Sequence, residues 1–116
     1  MATALDFQLI RAEIAAGEAA LGSAAELARY LGVDRSQVTR AAQGRQRFQL
    51  EPAWRLTALE AAFGALRHVI EEDVIPDWLQ GANAQLQGRR PIDVLRAGRV
   101  AEVMAAIQAE RTGSYA

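Results

Sequence analysis

Apolar residues recur along the chain at intervals of three and four, the spacing of one face of an α-helix. A first helix is predicted over about residues 6–20 by a set at this spacing, namely Phe7, Ile10, Ile14 and Leu21. The same spacing predicts a longer helix over about 53–72, whose apolar face carries Leu59, Ala62, Phe63, Leu66, Val69 and Ile70. No segment alternates apolar and polar residues as a half-buried strand does. The pattern predicts an all-α fold.

Capping residues and glycines mark the short helices that follow the first. Ser23 precedes a helix predicted over 24–31, and Gly32 ends it, because Ser caps helix N-termini and glycine accepts the left-handed C-terminal turn. Asp34 is expected to cap a third helix that runs to about Gln43.

The second half of the chain is divided in the same way. Residues 45–51 are predicted to form a loop before the long helix. Beyond that helix we expect short helical pieces around Trp78, another short helix from 91 and a last helix over about 99–111. These pieces are bounded by Pro76, Gly81, Pro91 and Gly98. We expect an N-terminal lobe over 1–50 and a C-terminal helical module over 53–116 that ends in a short tail.

Residues 24–43 fit the pattern of a helix-turn-helix. Ala28 allows the two helices to approach closely, and Gly32 tolerates the positive φ of the turn. The face that the helices share is expected to bury Leu27, Leu31, Val33 and Val38. Ala41 stands where a larger side chain is usual, so we expect other segments to fill the space beside it.

The charge pattern favours DNA binding by this unit. Residues 24–47 carry five arginines against two acidic residues, a net charge of +3, although the whole chain has a net charge of -1. The second helix of such a unit faces base edges, and Gln suits adenine as Arg suits guanine. The candidate DNA-binding residues are Arg35, Ser36, Gln37, Thr39, Arg40, Gln43, Arg45 and Arg47. The alternative is an ordinary solvated helix face. Because a monomer of this size binds DNA weakly, DNA binding implies a two-fold dimer on a palindrome.

Composition argues against several other classes of protein. The chain has no cysteine, which excludes disulfides, thiolate nucleophiles and cysteine-bound zinc. His68 is the single histidine, and the acidic run at 71–73 diverges around a helix axis rather than converging on a site. We therefore expect no catalytic residues, no metal and no cofactor. No signal peptide and no apolar run of ~20 residues is present, so we expect a cytoplasmic protein without membrane contact.

The last forty residues carry an ordered set of short motifs. They comprise a Trp-Leu pair at 78–79, an Asn-x-x-Leu turn at 83–86, a Gly-x-x-Pro-x-x-x-Leu helix start at 88–95 and a Gly-x-Tyr tail at 113–115. In this order the motifs resemble the toxin-binding region of the Xre/MbcA/ParS family, antitoxins that pair with RES-domain toxins. The resemblance covers about residue 54 to the end, and the helix-turn-helix precedes it as in the fuller members.

The resemblance implies a function and a set of contact residues. The chain would neutralise a RES-domain toxin that degrades NAD, as a homodimer or as a hetero-oligomer with the toxin, and would repress its own operon by binding operator DNA. The implied toxin-binding residues are Trp78, Asn83, Leu86, Arg89, Arg90, Pro91, Leu95, Gly113, Ser114 and Tyr115. The tail would lie near the toxin's active-site cleft. The alternatives are a stand-alone repressor without a toxin and an adaptor whose DNA-binding surface has lost its role.

From the residues alone, several of these positions have structural roles. Trp78 is expected to be a core aromatic whose indole N–H finds a carbonyl, and Trp54 to pack within the long helix. Asn83 can cap a short turn. Leu86 and Leu95 are expected to point into the core, while Arg89 and Arg90 are expected to be exposed, either to pair with partner carboxylates or to remain hydrated.

Overall fold

The structure, a computed structural model, describes residues 4–113, with side chains from residue 6 onward. Within this range the chain forms α-helices and two short 3-10 turns at Glu72–Val74 and Ala84–Leu86, and no strand. The helices are α1 Ala4–Leu21, α2 Ala24–Leu31, α3 Arg35–Ala42, α4 Leu50–Leu66, α5 Ile75–Gln80, α6 Pro91–Arg96 and α7 Val100–Thr112. The predicted all-α fold is confirmed. None of these helices is long and apolar enough to cross a membrane.

Local signals explain the ends of α2. The Ser23 hydroxyl accepts a hydrogen bond from the Glu26 amide at 3.1 Å. At the other end, Gly32 adopts φ 79°, and its amide donates to the Ala28 carbonyl at 2.9 Å. α1 continues through Gly17 to Leu21, and a Cβ atom built on Gly17 would lie 2.8 Å from the Leu27 side chain. That glycine therefore lets α1 and α2 pack closely.

The long helix differs from its prediction at both ends. It begins at Leu50, within the segment predicted to be a loop, and it ends at Leu66 rather than near Glu72. Beyond Leu66 the chain tightens into a turn, in which the Val69 amide donates to the Leu66 carbonyl at 2.9 Å. The apolar spacing continues through this turn because Val69 and Ile70 still pack against the core, although they are no longer helical.

A single core joins the N-terminal and C-terminal regions. Buried residues from every helix between α1 and α7 belong to one contiguous cluster. α1 packs against α2, α3, α4 and α5, and α4 also packs against α7. The side-chain amide of Gln80 in α5 donates to the Leu21 carbonyl at the end of α1, at 3.1 Å. The first helix thus forms part of the support of both regions.

Candidate functional site

α2 and α3 are consecutive helices that pack against each other, with a tight turn at Gly32 between them. Leu27, Leu31 and Val38 are buried between the helices and the rest of the core, and Val33 is partly buried. Ala28 is also buried, so its small side chain permits the close approach that its position predicts.

The space beside Ala41 was expected to be filled by other segments, and in the structure it is filled only in part. Ala41 is buried, and an open groove of about 400 Å³ lies next to it. Phe7 and Ile10 of α1 and Phe48 of the following loop line this groove. The Phe7 ring also lies where a Cβ atom on Gly44 would be, at 2.9 Å, which explains a glycine with φ 73° at that point.

Most of the candidate DNA-binding residues are exposed on and after α3. The exposed members are Arg35, Ser36, Thr39, Gln43, Arg45 and Arg47, while Gln37 and Arg40 are half-buried.

Several of these side chains are held by local hydrogen bonds. The Gln37 side chain accepts from the Asp34 amide at 3.3 Å, within a capping box at the start of α3. Arg40 donates through Nε to Gln46 at 2.6 Å. Arg35 and Arg47 form no side-chain hydrogen bond or ion pair with the described residues, so they are the cations best placed for an external anion.

Three of the residues implied for toxin binding lie in the core rather than on the surface. Leu86 is 1% exposed, Leu95 is 0% exposed and Pro91 is among the fully buried side chains. The inward positions expected for Leu86 and Leu95 are confirmed. Their side chains are covered by the chain itself, so these three residues set the shape of the surface above them.

Trp78 links α5 to α7. Its indole Nε1–H donates to the Glu110 carboxylate at 3.1 Å, while the ring packs against the core and remains half-buried. The expected role as a packing aromatic is correct, but the acceptor is a carboxylate, not a carbonyl. This charge-assisted bond ties the middle of the C-terminal region to its last helix.

Arg89 and Arg90 bind carboxylates of their own chain, which the sequence did not predict. Arg89 donates to the Leu86 carbonyl at 2.8 Å and to Glu102 at 2.7 Å. Arg90 forms a two-pronged pair with Asp93 at 2.9 and 3.1 Å. Hydrogen bonds from Arg89 and Arg99 lower the pKa of Glu102, and the bond from Arg90 lowers the pKa of Asp93. A partner carboxylate would have to share or displace these pairs.

The turn before α6 is built as its motif predicts. The Asn83 side chain accepts from the Gln85 amide at 2.9 Å, and this bond caps the 3-10 turn that ends at Leu86. At the end of α7, Gly113 is exposed and adopts φ 70°. Ser114 and Tyr115, the remaining tail candidates, lie outside the described residues.

Two arginines and a tyrosine connect the N-terminal and C-terminal regions. The sequence alone does not indicate this role. Arg55 of α4 donates to the Leu31 carbonyl at 3.1 Å, and Arg96 of α6 donates through Nε to the Tyr30 carbonyl at 3.0 Å. The Tyr30 hydroxyl donates to the Arg55 carbonyl at 2.7 Å. We call this group of three residues the α2 clamp. The carbonyls in the last turn of a helix lack helical partners and carry partial negative charge, so cations bind them well.

The α2 clamp also changes the local electrostatics. Burial raises the pKa of the Tyr30 phenol well above its ordinary value, more than the two nearby guanidinium groups lower it. Arg55 in addition pairs with Glu51 one turn earlier on α4. No local signal identifies these contacts, since Arg55 lies 24 positions from Leu31 and Arg96 lies 66 positions from Tyr30.

Trp54 does not pack inside the protein as predicted. Its side chain is 43% exposed, and one edge of its ring lies against Gly98, where a Cβ atom would be 3.3 Å from the ring. Leu50, one turn earlier on α4, is 87% exposed. The prediction is wrong because Trp54 and Leu50 lie on the side of α4 that faces away from its buried residues.

The residues considered as candidate catalytic groups do not lie together in one site. His68 and the acidic run at 71–73 are exposed. Among the described residues, no group of three or more His, Cys, Asp and Glu side chains is arranged to hold a metal ion.

Comparison with known proteins adds one solved structure. Neither protein-family models nor curated proteins match the sequence. A chain in the crystal structure of the M. tuberculosis MbcT-MbcA toxin-antitoxin complex matches with a TM-score of 0.77 and 24% sequence identity. The match covers 99% of this chain and 100% of that chain. The resemblance seen in the sequence is thus confirmed at the level of the fold, over the whole length of the chain.

Proposed function

We propose that this chain is a non-enzymatic antitoxin that binds and neutralises a RES-domain toxin that degrades NAD. The single observation that carries the proposal is that its whole fold is similar to a chain from a toxin-antitoxin complex. The motifs between Trp78 and Tyr115 support it, because they resemble the family's toxin-binding region and most of them lie within the segment from α5 to α7.

The toxin-contacting surface is proposed to consist of the exposed parts of this region. Leu86, Pro91 and Leu95 hold α6 and the preceding turn in place from below. Asn83, Arg89 and Arg90 then present polar groups above them, and the resemblance to the family adds the tail residues to this set. An Arg that already orders a carboxylate of its own chain presents its remaining donors in a fixed position, which lowers the entropic cost of binding a partner.

The helix-turn-helix is proposed to bind operator DNA and to repress the operon that encodes the pair. Arg35 and Arg47 carry this part of the proposal, since both are exposed and unpaired among the described residues. Two-fold pairing would place two such units on a palindrome. In the cytoplasm the complex would therefore remain attached to its own promoter.

The toxin-binding proposal is tested by co-expression with a RES-domain protein encoded beside it. The full chain is used, because α1 packs against α4 and α5 and a fragment over 53–116 would expose those faces. We expect a stable complex, relief of growth arrest and loss of NAD consumption. Deletion of residues 113–116 should preserve the complex and the melting temperature while restoring NAD consumption, if the tail blocks the cleft. Absence of a complex at micromolar concentration would refute the antitoxin proposal.

The DNA-binding proposal has its own test. Arg35→Ala should weaken binding to the promoter by ~1–3 kcal/mol if this residue contacts a base, or should reduce the salt slope by about one unit if it contacts phosphate. Arg67→Ala, an exposed arginine at the end of α4, is the matched control. DNA binding without toxin binding would favour a stand-alone repressor. Toxin binding with unchanged DNA affinity in the Arg35 variant would favour an adaptor.

A further inference from the structure

We propose that α1 takes part in DNA binding, and that Arg11 binds a phosphate of the sugar-phosphate backbone that runs beside α3. Arg11 is not one of the candidate DNA-binding residues, because it precedes the helix-turn-helix in the sequence. The inference rests on the proposed binding of DNA by the helix-turn-helix, to which it adds a contact from another element. The observation behind it is a groove that α1 and α3 form together.

The groove between α1 and α3 is open and has a volume of about 410 Å³. On the side of α3 it is lined by three exposed candidate DNA-binding residues at intervals of four positions, Arg35, Thr39 and Gln43. On the side of α1 it is lined by Arg11 and Glu18. α1 therefore borders the surface of α3 that is proposed to face DNA.

Arg11 lies at one end of this groove. The Phe7 ring is 2.9 Å from the Cβ position of Gly44, so the start of α1 lies beside the chain that leaves the end of α3. Arg11 follows Phe7 by one helical turn, about 6 Å along the axis. Glu18 is seven residues beyond Arg11, about 10 Å further along α1. The positive end of the groove is thus directed toward the loop that carries Arg47, another proposed DNA contact.

The positive charge of Arg11 is available to an external anion. Its side chain is exposed and forms no hydrogen bond or ion pair with the described residues. It is the only basic residue in α1, which carries three acidic ones. Two of these, Asp6 and Glu13, line the other groove of α1, beside Phe48. α1 thus directs its single cation, and not most of its acidic side chains, toward the candidate DNA-binding residues of α3.

The dimensions of B-DNA place α1 over a backbone when α3 lies in the major groove. The major groove is about 12 Å wide, and a helix with its side chains fills about 10–12 Å of it. A helix packed beside α3, with about 8–10 Å between the two axes, therefore lies at the rim of the groove. The rim is the sugar-phosphate backbone.

An arginine at this rim meets a phosphodiester group rather than a base edge. The planar guanidinium group can donate two parallel hydrogen bonds to phosphate oxygens. Such a contact fixes the orientation of the protein on the duplex and carries no sequence information. Arg11 is therefore assigned a role in affinity and orientation, whereas the choice of base sequence is left to α3.

The test is the affinity of the purified full-length protein for a promoter duplex and for an unrelated duplex of equal length, measured by fluorescence anisotropy at several salt concentrations. Arg11→Gln removes the charge and keeps a good helix former. One lost phosphate contact should weaken binding about fifteenfold at 0.05 M salt and about fourfold at 0.2 M salt, for each copy of the chain that binds. The loss should be equal for the two duplexes, because both present the same backbone.

Two further variants serve as controls. Arg111→Gln removes the same charge from α7, at an exposed arginine that likewise lacks a partner among the described residues, and should leave both affinities unchanged. Glu18→Gln removes the acidic group from the groove and should tighten binding to both duplexes about twofold for each copy, because repulsion of a phosphate about 10 Å away is lost. A damaged fold cannot produce such a gain in affinity.

The possible failures are distinguishable. If the wild type binds DNA and Arg11→Gln has the same affinity and salt slope, the contact from α1 is overturned while DNA binding by the helix-turn-helix stands. A loss confined to the promoter duplex would overturn the phosphate assignment, because it would show a base contact. An equal loss in Arg111→Gln, or no gain in Glu18→Gln, would overturn the placement of the backbone along this groove. A wild type that binds neither duplex would overturn both this inference and the proposed DNA binding.

Discussion

Replacement of Tyr30 by phenylalanine tests the α2 clamp with the least disturbance to packing. Tyr30 is 2% exposed, and its hydroxyl donates to the Arg55 carbonyl at 2.7 Å. Phenylalanine keeps the ring and removes only that donor. The Arg55 carbonyl lies inside α4, where it retains the helical acceptor role, so no buried acceptor is left wholly unpaired. The loss in free energy of unfolding at neutral pH should therefore be the net value of one neutral hydrogen bond, about 0.5–1.5 kcal/mol.

The same substitution should lower the free energy of unfolding by a smaller amount at alkaline pH. The pKa of the folded-state phenol is raised above the ordinary value of 10.0, so the unfolded chain loses this proton before the folded protein does. A raised pKa contributes stability that is fully present below pH 10 and is lost as the pH rises toward the folded-state value. Above pH 10 the wild type should lose about 1.4 kcal/mol per pH unit from this group alone. The variant lacks this titration.

Urea denaturation followed by circular dichroism, at several values between about pH 7 and pH 11, measures both effects. We expect the wild type to be the more stable protein at neutral pH, and the two curves to meet or cross near about pH 11. Tyr115 is present in both proteins and cancels in the comparison. A difference between the proteins that stays constant across the alkaline range would refute the reasoning, because it would mean that the folded phenol ionises as readily as an unfolded one.

Two further predictions concern backbone conformation and acid stability. Gly32→Ala should lower the free energy of unfolding by about 1–2 kcal/mol, since φ is 79° there. Gly64→Ala should raise the free energy of unfolding of dilute protein by about 0.5–1 kcal/mol, because alanine is the better helix former. Urea denaturation that ranks the two variants in the opposite order would contradict the assigned conformations. The lowered pKa of Glu102 contributes stability that is present above its ordinary value of 4.5 and is lost as the pH falls through the folded-state value. Glu102→Gln should accordingly lose less stability than wild type between about pH 6 and pH 3, and equal losses would show that the pairs with Arg89 and Arg99 do not persist in solution.

Sequence reasoning succeeded where the physical cause lies within a few residues. The ends of α2 follow from Ser23 and Gly32, and the turn before α6 follows from Asn83, because caps and left-handed turns depend on neighbouring backbone atoms. The burial of Leu86 and Leu95 was also accessible, since apolar spacing reports on the buried face of a helix.

It failed where a residue's partner lies elsewhere in the chain. Arg55 and Arg96 are unremarkable in their own helices, and only the fold brings them to the end of α2. Arg89 was expected to pair with a partner's carboxylate or to remain hydrated, because its acceptor Glu102 is 13 positions away and no local pattern links the two residues. Trp54 was misplaced for a different reason: apolar spacing cannot tell which of two packing faces on α4 the chain itself covers.

The position of α1 has a consequence for how the protein is made. α1 is synthesised before α5, against which it packs, and the Leu21 carbonyl at the end of α1 receives the Gln80 side chain. Because domains generally fold as units during synthesis, this fold cannot close before about residue 80 has emerged. A nascent chain truncated earlier would keep apolar surface of α1 exposed and would be open to proteolysis. We therefore expect premature termination before that point to yield no stable N-terminal half, and the two proposed binding activities to arise together in the same chain.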